Sequence, residues 1–289
     1  MNTRLCVKLS SFPLIAVLTS SIAQSALVSY DSFSGYTAGE LPDNAAPAVA
    51  GYTGNWVGTD FGAQQPSITV GSLVYADALY AGSAGDRVTV PNNTAGGEIT
   101  ATNSGRAYHS LDSTLAVTST TQGSLYLSFL FQSGQQTGAT TYQTLHLNQG
   151  TNGDTNRSFD IGITNNGGST GLQYNFGVNG TYTSTGVATN TTVRLFVVKF
   201  NLSSVAGGDS VTVWTNPTLG GVGDPAGGVT VSNTNFVWNN LMLSDYDGNS
   251  AAWDEIRWGT DFNSVTVPEP SAALLGSLGV LALFRRKRA

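Results

Sequence analysis

The sequence predicts an all-β protein built as an antiparallel two-sheet sandwich. Three observations predict it. Apolar and aromatic residues recur in short runs, many of them alternating, which is the period of a strand with one face in a core. Asn-Gly pairs at 152–153 and 179–180, and Asn166 before Gly167 and Gly168, supply the positive φ angles of tight hairpins. Gly, Ser, Thr and Asn are abundant, with 35 Gly in 289 residues, and long arrays of helix formers are absent. Such a composition also suits disorder. The clustering of β-branched and aromatic residues argues against that.

In chain order, 28–36 alternates and reads as the first strand. Residues 37–66, rich in Gly, Pro, Ala and Asn, read as a long surface excursion whose Trp56 and Phe61 pack back on the sandwich. Strands follow at 67–75, 86–90 and 106–109. The run 123–132 is apolar almost throughout and belongs in the middle of a sheet, covered on both faces. Strands at 142–147, 158–163 and 172–178 form a meander. A second central strand, 192–200, pairs with 209–217 through Gly207 and Gly208, and Pro217 stops it. A Gly/Asp/Pro loop spans 219–228, and 235–243 is another strand. In the last strand, 252–258, alternation puts Trp253, Glu255 and Arg257 on one face. Asp254, Ile256 and Trp258 fall on the other.

The two ends of the chain read as addresses. Arg4 and Lys8 precede an apolar run at 12–18, followed by Ser20, Ser21, Ala23, Ser25 and Ala26. Basic, apolar, then small-x-small is the order of a secretory signal peptide, 1–25, for the Sec export machinery. Cleavage after Ser25 competes with cleavage after Ala23. At the other end, Pro268 and Pro270 bar a helix from running through them. Residues 271–284 are almost wholly apolar and would form a short transmembrane helix of roughly 21 Å. Arg285, Arg286, Lys287 and Arg288 would hold its end in the cytoplasm and lengthen it by snorkelling.

The tail of Val267, Pro268, Glu269 and Pro270, an apolar helix and a basic end resembles the PEP-CTERM sorting signal of Gram-negative bacteria. The resemblance covers 267–289. It implies recognition near the Pro-Glu-Pro by an exosortase, transient anchoring in the inner membrane, and delivery to the cell surface or an exopolysaccharide matrix. An ordinary permanent anchor is the rival reading. The ordered set 125–132, 192–200, 211–217 and 253–260 looks like the concanavalin A-like (LamG-type) domains found ahead of such tails. That second resemblance implies a jelly roll over 26–266, more often glycan- or matrix-binding than catalytic.

Composition narrows the function further. The chain carries 12 Lys and Arg against 18 Asp and Glu, a net charge of −6. Between the two addresses the basic residues are Arg87, Arg106, Arg157, Arg194, Lys199 and Arg257. A chain this acidic, with no basic stripe, is a poor partner for nucleic acid. The single cysteine, Cys6, lies in the signal peptide, so the exported chain has no disulfide and no thiolate metal site.

Candidate chemistry is sparse. Glycoside hydrolysis needs two facing carboxylates. Asp254 and Glu255 are adjacent, so alternation points them to opposite faces. Glu255 and Arg257, two apart, are expected to pair with each other or with loop amides. His109 and His146 sit in strand-like contexts and read as structural histidines. Asp245, Asp247 and Asn249 form the most suggestive oxygen cluster for calcium, without the full EF-hand spacing. A solvated turn is the alternative. Asp154 and Asp209 are weaker candidates. Trp56, Tyr174, Tyr182 and Trp238 are the candidate aromatic platforms for a glycan.

Overall fold

The computed structural model describes residues 26–41, 48–58, 66–77, 87–90, 105–134, 142–150, 156–164, 173–246 and 250–266. Both addresses lie outside these, including the sorting motif at Val267 to Pro270 and the basic cluster at Arg285 to Arg288. So do Phe61, Asp154, Asp247 and Asn249. Among the described residues no helix is long and apolar enough to cross a membrane.

The described residues form sixteen strands and one short helix. The first eight strands are β1 (Leu27–Asp31), β2 (Gly39–Glu40), β3 (Tyr52–Gly58), β4 (Ser67–Thr69), β5 (Arg87–Val90), β6 (Gly105–Leu111), β7 (Gly123–Ser133) and β8 (Tyr142–Asn148). Then come β9 (Arg157–Thr164), β10 (Gln173–Val178), β11 (Thr181–Ala188), β12 (Arg194–Leu202), β13 (Asp209–Thr215), β14 (Val229–Thr234), β15 (Asn240–Tyr246), β16 (Ala251–Gly259) and α1 (Phe262–Thr266). They make two antiparallel sheets. One has nine strands in the order β14-β13-β12-β7-β16-β5-β4-β2, with β1 also paired to β16. The other has seven, in the order β11-β10-β9-β8-β15-β6-β3.

The inward faces of both sheets share one core. Phe129, Phe131, Phe196, Phe200 and Trp253 from the nine-stranded sheet meet Leu145, Phe159, Ile161, Tyr174 and Leu243 from the seven-stranded one. β7 lies between β12 and β16, apolar on both faces as expected. Its Tyr126 and Leu130 face outward into a second cluster with Trp214, Phe262 and Val265. α1 covers that outer face. Asp261 caps it, accepting the Ser264 amide at 2.9 Å, and Ser128 Oγ donates to the Val265 carbonyl at 2.6 Å.

Several strands depart from the expected pattern. The excursion 37–66 contains β2 and β3, and its Trp56 is buried in the core. The first strand stops at Asp31, because Phe33 adopts φ +54°. The strand expected over 67–75 ends at Thr69. The one expected at 235–243 begins at Asn240 and runs to Tyr246. β11 and β14 are edge strands that polar sequence concealed. β11 follows β10 through Asn179 and Gly180 at φ +49° and +80°, the double positive-φ turn that Asn-Gly favours.

Strict alternation fails in β16. Glu255 adopts φ +56°, and the pairing with β7 slips between Asp254 and Arg257. This is a β-bulge, and the extra residue resets the faces. Trp253, Ile256 and Trp258 therefore all enter the inter-sheet core. The expectation that Trp253 opposes Ile256 and Trp258 is corrected by that single backbone twist.

Candidate functional site

The outward face of the seven-stranded sheet forms an open cleft of about 900 Å³. Alternation builds it. Leu145 and Leu147 point into the core, so Thr144 and His146 point out. Phe159 and Ile161 do the same for Asp160, and Ala107 for Arg106. Register then lines these residues up across the sheet. Tyr108, Met242, His146, Asp160, Gly177 and Tyr182 are successive partners from β6 to β11. A parallel row runs Arg106, Ser244, Thr144, Gly162.

The floor is polar and tightly packed. Thr144 Oγ1 and His146 Nε2 share a 2.5 Å hydrogen bond. His146 Nδ1 has no hydrogen-bond partner, although the residue is 3% exposed. It stands 3.9 Å from Asp160 Oδ2. Tyr182 donates its hydroxyl to the same oxygen at 3.2 Å. Arg157 reaches that oxygen at 3.8 Å and donates to the Tyr182 hydroxyl at 3.3 Å. Arg106 Nε donates to Ser244 Oγ at 3.3 Å. Gly177 makes room for Asp160: a Cβ there would lie 2.1 Å from Asp160 Oδ1. Tyr142, Gln149, Asn156, Asn179 and Asn235 complete the rim.

Burial sets the charge states. Desolvation pushes Asp160 up to about 6, against Arg157, the Tyr182 hydroxyl and the Gly177 amide, which favour the anion. Desolvation holds His146 well below the usual imidazole range, and the Arg157 and Arg106 charges push it the same way. At pH 7 the pair is therefore a neutral imidazole beside a carboxylate, not an ion pair. Desolvation, then the Asp160 charge, raises Tyr182 to about 12, so its hydroxyl is a donor at neutral pH.

The histidines divide. His109 is structural as expected: its Nε2 bonds the Gly54 carbonyl at 3.0 Å and its ring stacks on Tyr52 at 4.7 Å. His146 is the one on the cleft floor. Of the four aromatic candidates, Trp56, Tyr174 and Trp238 are core residues, and Tyr182 alone lines the cleft. His146 and Asp160 carry a readable sign that sequence reasoning passed over. Each is a polar residue wedged between two core apolar ones on its own strand.

Asp254 and Glu255 are structural. Asp254 accepts the Leu73 amide and the Glu255 amide, both at 2.8 Å. Glu255 accepts the Tyr30 hydroxyl at 2.8 Å and pairs with Arg257 at 2.5 Å, as the spacing predicts. Both carboxylates are fully buried. Among the calcium candidates, Asp245 lies in β15 paired with Gly105 and Gln143, and its side chain is buried. Asp209 spends both oxygens on the Ser203 and Phe236 amides, each at 2.7 Å. Among the described residues no cluster of three His, Cys, Asp or Glu side chains could hold a metal.

No family model matches the sequence, and no curated protein matches it. Solved structures share the overall arrangement at a distance. The globular domain of T. cruzi calreticulin is 11% identical with a TM-score of 0.45, covering 73% of this chain and 86% of that one. Domain 4 of AbnA, a GH43 extracellular arabinanase from Geobacillus stearothermophilus in complex with arabinotriose, is 13% identical with a TM-score of 0.44, covering 84% and 97%. An endo-1,3-beta-glucanase from Streptomyces sioyaensis is 13% identical with a TM-score of 0.39, covering 81% and 96%. At these scores the likenesses carry no argument about activity or ligand, so function rests on the cleft itself.

Proposed function

We propose that this is an exported, non-catalytic glycan- or matrix-binding protein on a concanavalin A-like jelly roll. The sugar would lie in the cleft of the seven-stranded sheet. The observation that carries this reading is the floor of that cleft: polar side chains aligned across neighbouring strands, with His146 Nδ1 buried and unsatisfied. Buried polar atoms normally find partners, and ring hydroxyls both donate and accept. Tyr182 and Tyr142 offer half-buried ring faces at the rim, with amides beside them. Hydrolysis wants a second carboxylate facing the first. Among the described residues no carboxylate lines the cleft, and Asp160 lies buried beneath its floor. The signal peptide 1–25 and the exosortase-sorted tail 267–289 would place the protein at the cell surface or in exopolysaccharide. Calcium has no part in this reading.

The test is a titration of the full chain against extracellular bacterial polysaccharides, with Tyr182→Ala as the cleft variant. Saturable binding lost in that variant is expected. Binding that survives it places the ligand elsewhere. Release of reducing or unsaturated chain ends would overturn the non-catalytic reading.

A further inference from the structure

The geometry points to Tyr182 as a stacking platform for a pyranose ring, held in place by Asp160 and made possible by the bare backbone of Gly177. This rests on the glycan reading and deepens it, naming the contact made by the sugar and the residues that position it. The three residues are register partners on neighbouring strands: Tyr182 on β11 pairs with Gly177 on β10, which pairs with Asp160 on β9. Phe176 and Val178 point into the core, so Gly177 belongs to the cleft face. The Tyr182 hydroxyl donates to Asp160 Oδ2 at 3.2 Å. From β11 to β9 is two strand spacings, about 9.5 Å. A tyrosine standing off the sheet would not cover that span, so the ring lies along the sheet, over β10.

Gly177 is what lets the ring lie there. A Cβ at that position would come within 2.8 Å of Tyr182 Cε1 and would also meet Asp160 Oδ1. Its φ is not positive, so the missing side chain serves the close approach rather than the backbone conformation. An aromatic ring laid over a strand glycine covers the gap that the glycine leaves. Tyr182 is half-buried and lines the cleft, so one side of the ring rests on backbone and the other meets the ligand. Asp160, 1% exposed, is fixed beneath that surface. It touches the platform and not the sugar, which makes it a positioning residue. Arg157 donates to the same hydroxyl at 3.3 Å and steadies it. The face of an aromatic ring is electron-rich and attracts the slightly positive C–H bonds that gather on a pyranose face. Asn156 and Asn179 line the rim, where amides serve the hydroxyls around the edge of a stacked ring.

Calorimetry and proton NMR of the full chain with cellotetraose, with β-1,4-galactotetraose and with α-1,5-arabinotetraose separate the possibilities. The first two are pyranose oligomers with a C–H face; the third is a furanose oligomer, whose puckered rings offer none. At least one pyranose oligomer should bind, roughly tenfold or more tightly than the furanose. The protons of one sugar face should move upfield, the ring-current mark of a proton above an aromatic plane. Tyr182→Leu should remove that shift and weaken binding by about tenfold or more. Tyr182→Phe keeps the ring and loses its tie to Asp160, so a smaller shift should persist with affinity about threefold to tenfold lower. Wild-type affinity in Tyr182→Phe, whether or not its melting point falls, overturns the positioning role of Asp160. Pyranose binding without an upfield shift, or equally tight binding of the furanose oligomer, overturns the platform and leaves the glycan site standing. So does binding of neither pyranose oligomer alongside saturable binding of bacterial polysaccharide. Failure to bind any glycan sinks both readings.

Discussion

His146 Nδ1 lies 3.9 Å from Asp160 Oδ2, across directly paired positions of β8 and β9, and makes no hydrogen bond. The separation is too long for a direct bond. It leaves a polar gap in the floor, where Asp160 Oδ1 is also buried without a hydrogen-bond partner, and the first two predictions below turn on what surrounds that gap.

The first concerns pH. His146 is held neutral in the folded protein, below its ordinary value of 6.5. Below pH 6.5 the unfolded chain takes a proton that the folded chain refuses, so this group costs stability as pH falls. His109, also lowered by burial, acts in the same sense. Asp31 and Asp160, both raised to about 6, act oppositely: between about 6 and 3.8 the folded state takes the proton first. Comparing His146→Gln with wild type removes most of what the two share. From pH 7 to 5 the variant should gain on wild type by up to about 1.4 kcal/mol per pH unit, read by urea melts. A constant gap would show that His146 takes up its proton in the fold as readily as in the unfolded chain.

The second concerns Gly177. A methyl group there would meet Asp160 Oδ1 at 2.1 Å and Tyr182 Cε1 at 2.8 Å. Gly177→Ala should cost about 1–3 kcal/mol by overpacking and should weaken glycan binding, because it displaces two cleft residues together. Denaturant melts and calorimetry check the two effects separately. Wild-type affinity in this variant would mean that the ligand avoids Tyr182.

The third concerns the bulge in β16. Glu255 and Arg257 are a buried pair, with side chains 0% and 6% exposed. Arg257→Met alone leaves the Glu255 carboxylate buried with, among the described residues, Tyr30 to answer it, and should cost about 3–5 kcal/mol. Adding Glu255→Gln should recover a large part of that loss. Equilibrium melts of the two single variants and the double variant measure the coupling. Additive losses would show that the pair does not act as a unit.

The fourth concerns export. Replacing Pro268 and Pro270 with Ala should leave the chain in the inner membrane fraction, since the proposed exosortase site is lost. Fractionation with an antibody against the sandwich reads the result. Unchanged surface delivery would assign sorting to another segment.

The sequence shows the sheet class and the central strands plainly. β7 and β12 announce themselves because apolar residues on both faces leave no other reading, and β13 by its alternation. β11 and β14 do not, since edge strands with polar faces look like loops. The bulge at Glu255 is invisible to alternation: it depends on a local φ that Glu rarely adopts, stabilised by Arg257 and Tyr30 from outside its own position. The cleft was half legible. Leu145-His146-Leu147 and Phe159-Asp160-Ile161 each flag an outward polar residue, but only register makes His146 and Asp160 neighbours. Strand order is a long-range property, and no local spacing encodes it.

The cleft assignment is tested most directly by imidazole NMR. The chain has two histidines. His146 faces the cleft and His109 lies in the core, so each serves as the other's control. With histidine labelled and bacterial extracellular polysaccharide titrated in, the His146 ring resonances should shift saturably while those of His109 stay fixed. Saturable polysaccharide binding with an unmoved His146 would contradict the account.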